Sequence, residues 1–298
     1  MVYICVLNYN NAKDTILCLE SLLKLRFNEY KIILVDNASI DDSRDVLSKY
    51  ALDKEKVVFM PLDNNRGYAA GNNVALKHAL SCEDMDYCWI LNNDTTVEDD
   101  ALSWLVEHME KRPEIGLCGS KLVYSWDRSC IQGYGGTYKP WIALSGTILD
   151  EKDIPYIDYV IGASVFVSRE FLKKIGLMCE DYFLYFEETD WAERARGKFK
   201  LSCEPRSVVY HKEGAVVGAN AKHPEEKSEL ADYYSMRNRL LFTWKFYPQY
   251  IPTVYLSSLV MIWNRFRRHQ YKRMWMFVKL LFGIRDSRFE CKAPMDKV

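Results

Sequence analysis

Apolar and polar positions along the first third of the chain alternate in a regular rhythm. Residues 2–7 form a short unbroken apolar run, the pattern of a strand buried on both faces. Asn8-Tyr9-Asn10-Asn11 ends it, and Ile16, Leu19, Leu22, Leu23 and Leu25 follow at helical spacing. A second apolar run at 31–35 stops at Asp36-Asn37-Ala38-Ser39. Asp41-Asp42-Ser43 then opens a helix, because short polar side chains satisfy the free amides of a first turn. A third run at 56–60 leads into a polar, glycine-containing stretch from Asn64 to Asn73 and a helix to residue 80. A fourth, at 87–91, ends in Asn92-Asn93-Asp94. Strands alternating with helices of about a dozen residues predict an α/β fold, a mainly parallel sheet with crossover helices.

Beyond residue 112 the rhythm changes. Residues 113–149 are irregular and strand-like, with glycine-rich turns at Gly133, Gly135 and Gly136, and are expected as antiparallel additions at the sheet edge. Residues 160–167 are apolar with Gly162 and Ala163 near their start, and Ser168-Arg169-Glu170 opens a short helix. The stretch 181–191, DYFLYFEETDW, sets Glu187, Glu188 and Asp190 directly after an aromatic run. At a helix start such carboxylates complement the dipole. In an apolar, partly dewatered pocket one of them serves as a general base. Val208-Val209-Tyr210-His211 is a further strand with His at its end. In open α/β sheets ligands bind outside the carboxyl ends of the strands, so Asp36, the 65–71 loop and Asp94 are expected to converge on one crevice.

Composition narrows the class. With 49% hydrophobic and 27% charged residues in 298, the chain is globular. Its net charge of −1 conceals an acidic body and a basic end: from Met236 to Val298 there are 13 Lys/Arg against 3 Asp/Glu. Nine cysteines, an odd number without zinc-site spacing or a preceding secretory signal, are read as reduced thiols of a cytoplasmic protein. The first strand–helix turn has no glycine and no Walker-type loop occurs, so a nucleotide is held in neither of those ways. The uncharged segment between Lys245 and Arg265 is interrupted by Pro248 and Pro252, a poor membrane span. Arg265, Arg267, Arg268, Lys272 and Arg273, followed by Trp275, Phe277, Leu280, Leu281 and Phe282, fit a helix lying at a membrane interface. No nucleic-acid motif accompanies the basic residues, so that class of partner is not expected.

Taken in order, VDNAS at 35–39, Asn65-Arg66-Gly67 with Gly71-Asn72-Asn73, LNND at 91–94, Gly162-Ala163, FLYFEETD at 183–190 and His211 resemble the inverting glycosyltransferases of family 2, with the GT-A fold. The resemblance spans about residues 2–214, and Tyr233-Tyr234-Ser235-Met236-Arg237-Asn238 is similar to the tail of rhamnosyltransferase-like members. It implies a catalytic domain at 1–224 and a basic, aromatic helical region at 225–298 on the cytosolic leaflet. The donor is then a nucleotide sugar, dTDP-rhamnose or a UDP-hexose, and the acceptor a glycan or lipid-linked glycan. Asp36 takes the role of base recognition and Arg66 that of a nucleotide contact. Asn8, Asn37, Gly67, Asn73, Asn92 and Asn93 fall on the donor side, and Arg237 near the start of the tail is expected to reach the diphosphate. Asp94 and His211 are implied as ligands of Mn²⁺ or Mg²⁺, the histidine leaning toward Mn²⁺. Glu188 is implied as the catalytic base, with Asp190 as the other candidate. Two positions depart from the family pattern: the metal motif reads Asn92-Asn93-Asp94, and the base is Glu where Asp is commoner. The alternative class is a catalytically degenerate, membrane-associated binding protein.

Overall fold

The computed structural model describes residues 1–212 and 228–289. The alternating half consists of β1 (Val2–Asn8), α1 (Ala12–Leu22), β2 (Tyr30–Asp36), α2 (Ser43–Leu52), β3 (Val57–Pro61), α3 (Tyr68–Ser81) and β4 (Tyr87–Asn92). Its strands lie parallel in the order β3-β2-β1-β4. Alternation along each strand feeds two cores. Ile4, Ile32 and Leu34 pack on one face with Leu19 and Leu22 of α1. Tyr3, Cys5, Ile33 and Val35 pack on the other with Leu76 of α3. Burial on both faces is why these strands read as continuous apolar runs. The loop expected to reach residue 71 is shorter, because α3 already begins at Tyr68. Gly71 is a helical glycine there: a β-carbon on it would lie 2.5 Å from the Leu7 side chain.

The second half contains β5 (Thr95–Val97), α4 (Ala101–Glu110), β6 (Ile115–Tyr124), β7 (Ile131–Gly133), β8 (Gly135–Lys139), β9 (Leu144–Ile148), β10 (Ser164–Ser168), α5 (Arg169–Ile175), α6 (Glu187–Ala195) and β11 (Lys200–His211). The sheet continues β4-β10-β6-β11-β5, with β10 antiparallel to both neighbours and β11 parallel to β6. The edge placement expected for 113–149 is therefore corrected. β6 lies inside the sheet with Leu117, Cys118 and Leu122 buried, and only β8 and β9 form a separate pair. The glycines that suggested turns are sites of close approach. A β-carbon on Gly136 would stand 2.1 Å from the Tyr159 ring. The apolar run at 160–167 becomes strand only from Ser164, leaving Gly162 and Ala163 in a turn before β10.

Three helices complete the described chain: α7 (Glu229–Phe246), α8 (Ile251–Arg267) and α9 (Tyr271–Leu281). Ser228 caps α7 by accepting from the Ala231 amide at 3.1 Å. Pro252 sits in the first turn of α8, where a missing N–H costs nothing. Among the described residues no helix is long and apolar enough to cross a membrane. The helices are not a detached tail. Tyr233, Met236, Phe242, Val254 and Phe277 share one core with Tyr138 and Tyr182 of the body. The boundary expected at 224/225, and residue 214 that closes the resemblance, lie outside the described residues. Two of the five cations expected to face a membrane turn inward instead. Arg265 and Arg273 both bond the buried Asp232 carboxylate, at 2.7 and 3.0 Å, and lock α8 and α9 onto α7.

Candidate active site

The site grows from Asn8, the last residue of β1. Its side chain is wholly buried, so every polar atom there needs a partner. Nδ2 donates to Asp36 Oδ1 at 2.7 Å and to Ser39 Oγ at 3.1 Å. Oδ1 accepts from Thr15 Oγ1 at 2.8 Å and Asn93 Nδ2 at 3.3 Å. One amide thus ties the carboxyl ends of β1, β2 and β4, and brings Asp36 to Asn93, the residue before the expected Asp94. Asp36, however, lies beneath the crevice rather than projecting into it. It is wholly buried, accepting from Ser39 Oγ at 2.6 Å and the Ser39 amide at 3.0 Å besides Asn8. Asn37 is buried as well, but its hydrogen bonding is incomplete. Its Nδ2 donates to Asn65 Oδ1 at 3.0 Å, while its buried Oδ1 has no hydrogen-bond partner.

Around α3 the expected donor residues separate. Gly67 has φ +94°, and a β-carbon there would lie 2.4 Å from Phe183 O, so only glycine fits. The close approach lets the Tyr68 amide donate to Phe183 O at 2.7 Å. Arg66 lines an open groove with Leu62, Asn64 and Val74. Its exposed pair with Glu180, 3.1 Å, is worth little and leaves the guanidinium recruitable. Asn73 departs from expectation. It is buried, and both ends of its amide are spent on Met178 and Glu180, so it staples α3 to the 178–180 segment. Arg237 likewise points its guanidinium at Asp181 O, 2.9 Å, and Asn238 Oδ1, 2.6 Å.

Glu188 is delivered by a strained loop. Phe183, Tyr185 and Phe186 have φ of +65°, +69° and +76°. Each such non-glycine residue costs roughly 1–2 kcal/mol, so the surroundings must hold them. Asn238 of α7, itself buried, does this: its Nδ2 lies 2.8, 2.7 and 3.1 Å from the carbonyls of Tyr182, Leu184 and Tyr185. Phe183 also stacks on Tyr234, with ring centroids 4.7 Å apart. The loop places Glu188 in the first turn of α6 against Gly162, whose absent β-carbon would lie 3.5 Å from Glu188 Oε1. Tyr68 closes the same corner by donating to Gly162 O at 2.8 Å. Burial raises the Glu188 pKa above the usual carboxylate value. Burial, and then the Glu188 charge, push that of Glu187 well above it, so the deeper acid retains its proton more strongly. Burial, and then the charges of Glu188, Glu187 and Asp94, push the Tyr68 phenol well up.

Asp190 has a different part. It is wholly buried and accepts from Arg194 Nε at 2.6 Å, Lys245 Nζ at 2.5 Å and Tyr182 Oη at 3.0 Å. Those bonds join α6 to α7 and leave the carboxylate no face toward an acceptor.

On the far side of the Gly162–Ala163 turn, the Asn92 amide donates to Ala163 O at 3.1 Å. Asp94 and His211 then meet, Oδ1 to Nε2 at 3.2 Å, because β11 ends beside β5 with His211 opposite Thr95. His211 Nδ1 lies 2.9 Å from Gln132 Oε1, and Asn92 Nδ2 is 3.5 Å from Nε2. Among the described residues no group of three or more His, Cys, Asp or Glu stands ready for a metal. Sequence reasoning did not assign Tyr68, Gln132 or Asn238. Tyr68 lay within the 64–73 stretch and Asn238 within the 233–238 motif, but no local pattern tells what either holds.

Comparison with known proteins fits this geometry. The model of glycosyl transferase family 2 matches residues 3–176. The chain is 24% identical over 204 residues to poly-beta-1,6-N-acetyl-D-glucosamine synthase of Staphylococcus epidermidis, covering 68% of this chain and 47% of that protein. It therefore spans about half the length of the curated relatives it first matches. It is 20% identical over 298 residues to the low-salt glycan biosynthesis hexosyltransferase Agl10 of Haloferax volcanii, covering 98% and 87% of the two chains. S. aureus TarS 1-349 in complex with UDP-GlcNAc superimposes with a TM-score of 0.61 at 16% identity, covering 95% of this chain and 80% of that one. Mannosyltransferase PcManGT from Pyrobaculum calidifontis, in complex with GDP-Man and Mn²⁺, gives 0.60 at 15%, covering 95% and 74%. The fold is the GT-A α/β fold. With more than half of its length matched, including the strand ends that build the crevice, the chain belongs to glycosyl transferase family 2.

Proposed function

We propose that the protein transfers a hexosyl group from a nucleotide-diphosphate sugar to a hydroxyl of a glycan or lipid-linked glycan, inverting the anomeric centre. The observation that carries this reading is the Gly162–Ala163 turn, which brings Glu188 and the Asn92–Asp94 strand end to one corner. Glu188 accepts the proton of the acceptor hydroxyl as its oxygen bonds to the anomeric carbon. The carbon–phosphate oxygen bond breaks on the opposite face, and the nucleoside diphosphate leaves. A buried carboxylate, with its pKa raised above the usual value, is a stronger base than an exposed one. Glu188 rather than Asp190 takes this role, since three donors occupy Asp190.

Asp94 and His211 suit a divalent cation. In the tautomer that gives Nδ1–H to Gln132, the Nε2 lone pair and the Asp94 carboxylate would both serve as ligands of a divalent cation. Two protein ligands leave room for donor phosphate oxygens, in keeping with the amides at Asn92 and Asn93. Bound there, Mn²⁺ or Mg²⁺ would neutralise charge on the departing diphosphate. Base recognition fits Asn37, whose orphaned Oδ1 would accept the N3–H that uracil and thymine both present. UDP-hexose and dTDP-rhamnose thus remain the leading donors, and the UDP-GlcNAc bound by TarS favours the first.

The test is turnover of a panel of UDP-, dTDP- and GDP-sugars with Mn²⁺, reading released nucleoside diphosphate with and without acceptor glycans. Release that depends on Glu188 supports the reading. Donor binding without release from any sugar would instead support the binding-protein alternative.

A further inference from the structure

The outward face of α8 and α9 has no part in the crevice and is built unlike the rest of the surface. Leu256, Leu259, Val260 and Trp263 recur at the i, i+3, i+4, i+7 spacing of one helical stripe, and each is more than half exposed. The opposite face of α8, with Val254 and Ser258, is already buried on the shared core. This helix is therefore apolar on two sides, and one of them lacks cover among the described residues. On α9 and the residue that follows it, Lys272, Trp275, Lys279 and Phe282 fall at i, i+3, i+7 and i+10, all exposed. Basic side chains thus alternate with aromatic ones. From residue 246 to 285 there are seven Lys/Arg and no Asp or Glu, on a chain whose first 235 residues carry an excess of acids.

We propose that this face docks on an anionic lipid surface. The α8 stripe and Trp275 would lie at the level of the headgroups, with Arg267, Arg268 and Lys272 against the phosphates. Charge selects this occupant. A two-fold contact with a second copy would set one basic patch, with Arg267, Arg268 and Lys272, against the same patch of the other, and the two repel. A layer of anionic headgroups offers the opposite sign across the whole face. Exposed tryptophan beside arginine suits that boundary, where one end of the ring is apolar and the other wet. Arg265 and Arg273 are excluded, because Asp232 holds both. The proposal is independent of the transfer reading, since none of these residues belongs to the crevice.

The experiment is co-sedimentation of the full chain with vesicles of phosphatidylglycerol and phosphatidylcholine in equal parts, against pure phosphatidylcholine. Each Lys/Arg near an anionic surface is worth about fivefold in partitioning at low salt. The variant Arg267→Gln/Arg268→Gln/Lys272→Gln should thus bind roughly 10²-fold more weakly. Trp263→Gln/Trp275→Gln should also release the protein, although it keeps every charge. The control Lys24→Gln/Lys49→Gln/Lys173→Gln removes exposed charge from the body and should bind like the parent. Raised salt should weaken binding of the parent, by screening within about a Debye length of 8–10 Å. The proposal is overturned if the parent ignores anionic vesicles, if the two triple variants behave alike, or if loss of both tryptophans changes nothing. A stable dimer that no longer binds vesicles would assign the face to a second copy instead.

Discussion

Replacing Asp190 with Asn separates a structural acid from a catalytic one. The substitution keeps the size of the side chain and removes its charge from a wholly buried position between Arg194, Lys245 and Tyr182. Breaking a buried ion pair costs about 3–5 kcal/mol when the surviving partner stays buried and unpaired. Here the Arg194 and Lys245 side chains retain 24% and 37% exposure, so water takes up part of the loss. The Asn amide oxygen still accepts one of the three donors. We expect a loss of about 2–3 kcal/mol, a fraction of a typical total of about 5–15. Urea unfolding should then show a midpoint lower by about 1 M, taking a slope of ~2–3 kcal/mol/M. Turnover per folded molecule should stay within about tenfold of the parent, since a lost general base typically costs 10²–10⁴-fold. Unchanged urea stability together with abolished turnover would refute this reasoning and return Asp190 to the role of base.

Glu188→Gln should preserve donor binding and lower transfer about 10²–10⁴-fold, measured by pre-steady-state sugar transfer beside calorimetric donor titration. Because burial raises the Glu188 pKa, activity should rise with pH along an acidic limb that lies above the ordinary glutamate value of about 4.3. The sign follows from the ionised form being the base, and a limb at or below that value would contradict the pocket described. Asp94→Ala should cost on the order of 10²–10³ in rate, and a chelator should abolish parent activity. Normal turnover under both conditions would remove the cation from the scheme. Asn238→Ala strands three carbonyls of the 182–185 loop. It should lower the rate constant of the chemical step while leaving the Michaelis constant for the donor nearly unchanged, and Asn238→Gln should rescue little because its longer arm misplaces the amide. A fall confined to stability would reduce Asn238 to packing.

The parallel half of the fold was legible because its signal is local. A strand buried on both faces has to be apolar throughout, and the strands at 2–7, 31–35, 56–60 and 87–91 each reappear within a residue or two of those limits. The middle was not, because a glycine in a strand means either a turn or a close approach. Only the ring of Tyr159, brought beside Gly136 by the fold, decides between them. The site divides along the same line. Clusters at strand ends pointed to Asp36, the 65–71 loop and Asp94; in the fold Asn8 ties Asp36 to Asn93, the residue before Asp94, and Asn65 reaches Asn37. Depth was invisible: nothing in VDNAS says that Asp36 is sealed under the crevice while Asn37 keeps a vacant oxygen. Nor could spacing show that Asn73 turns its amide to Met178 and Glu180, or that Asp232 captures two arginines of the basic run. Those are long-range partnerships.

The grip of Asn238 on the carbonyls of Tyr182, Leu184 and Tyr185 bears on how relatives of this chain can be recombined. The family match stops at residue 176, before both the strained loop and the helix that holds it. A chimera joining residues 1–212 to the C-terminal helices of another member would carry over every group proposed to touch donor, cation or acceptor. It would keep Glu188 aimed only where the incoming helix supplies an amide in the place of Asn238 and a lysine in the place of Lys245. Swapping specificity between such proteins therefore calls for exchanging the loop and α7 as one cassette, although more than forty residues separate them in the chain.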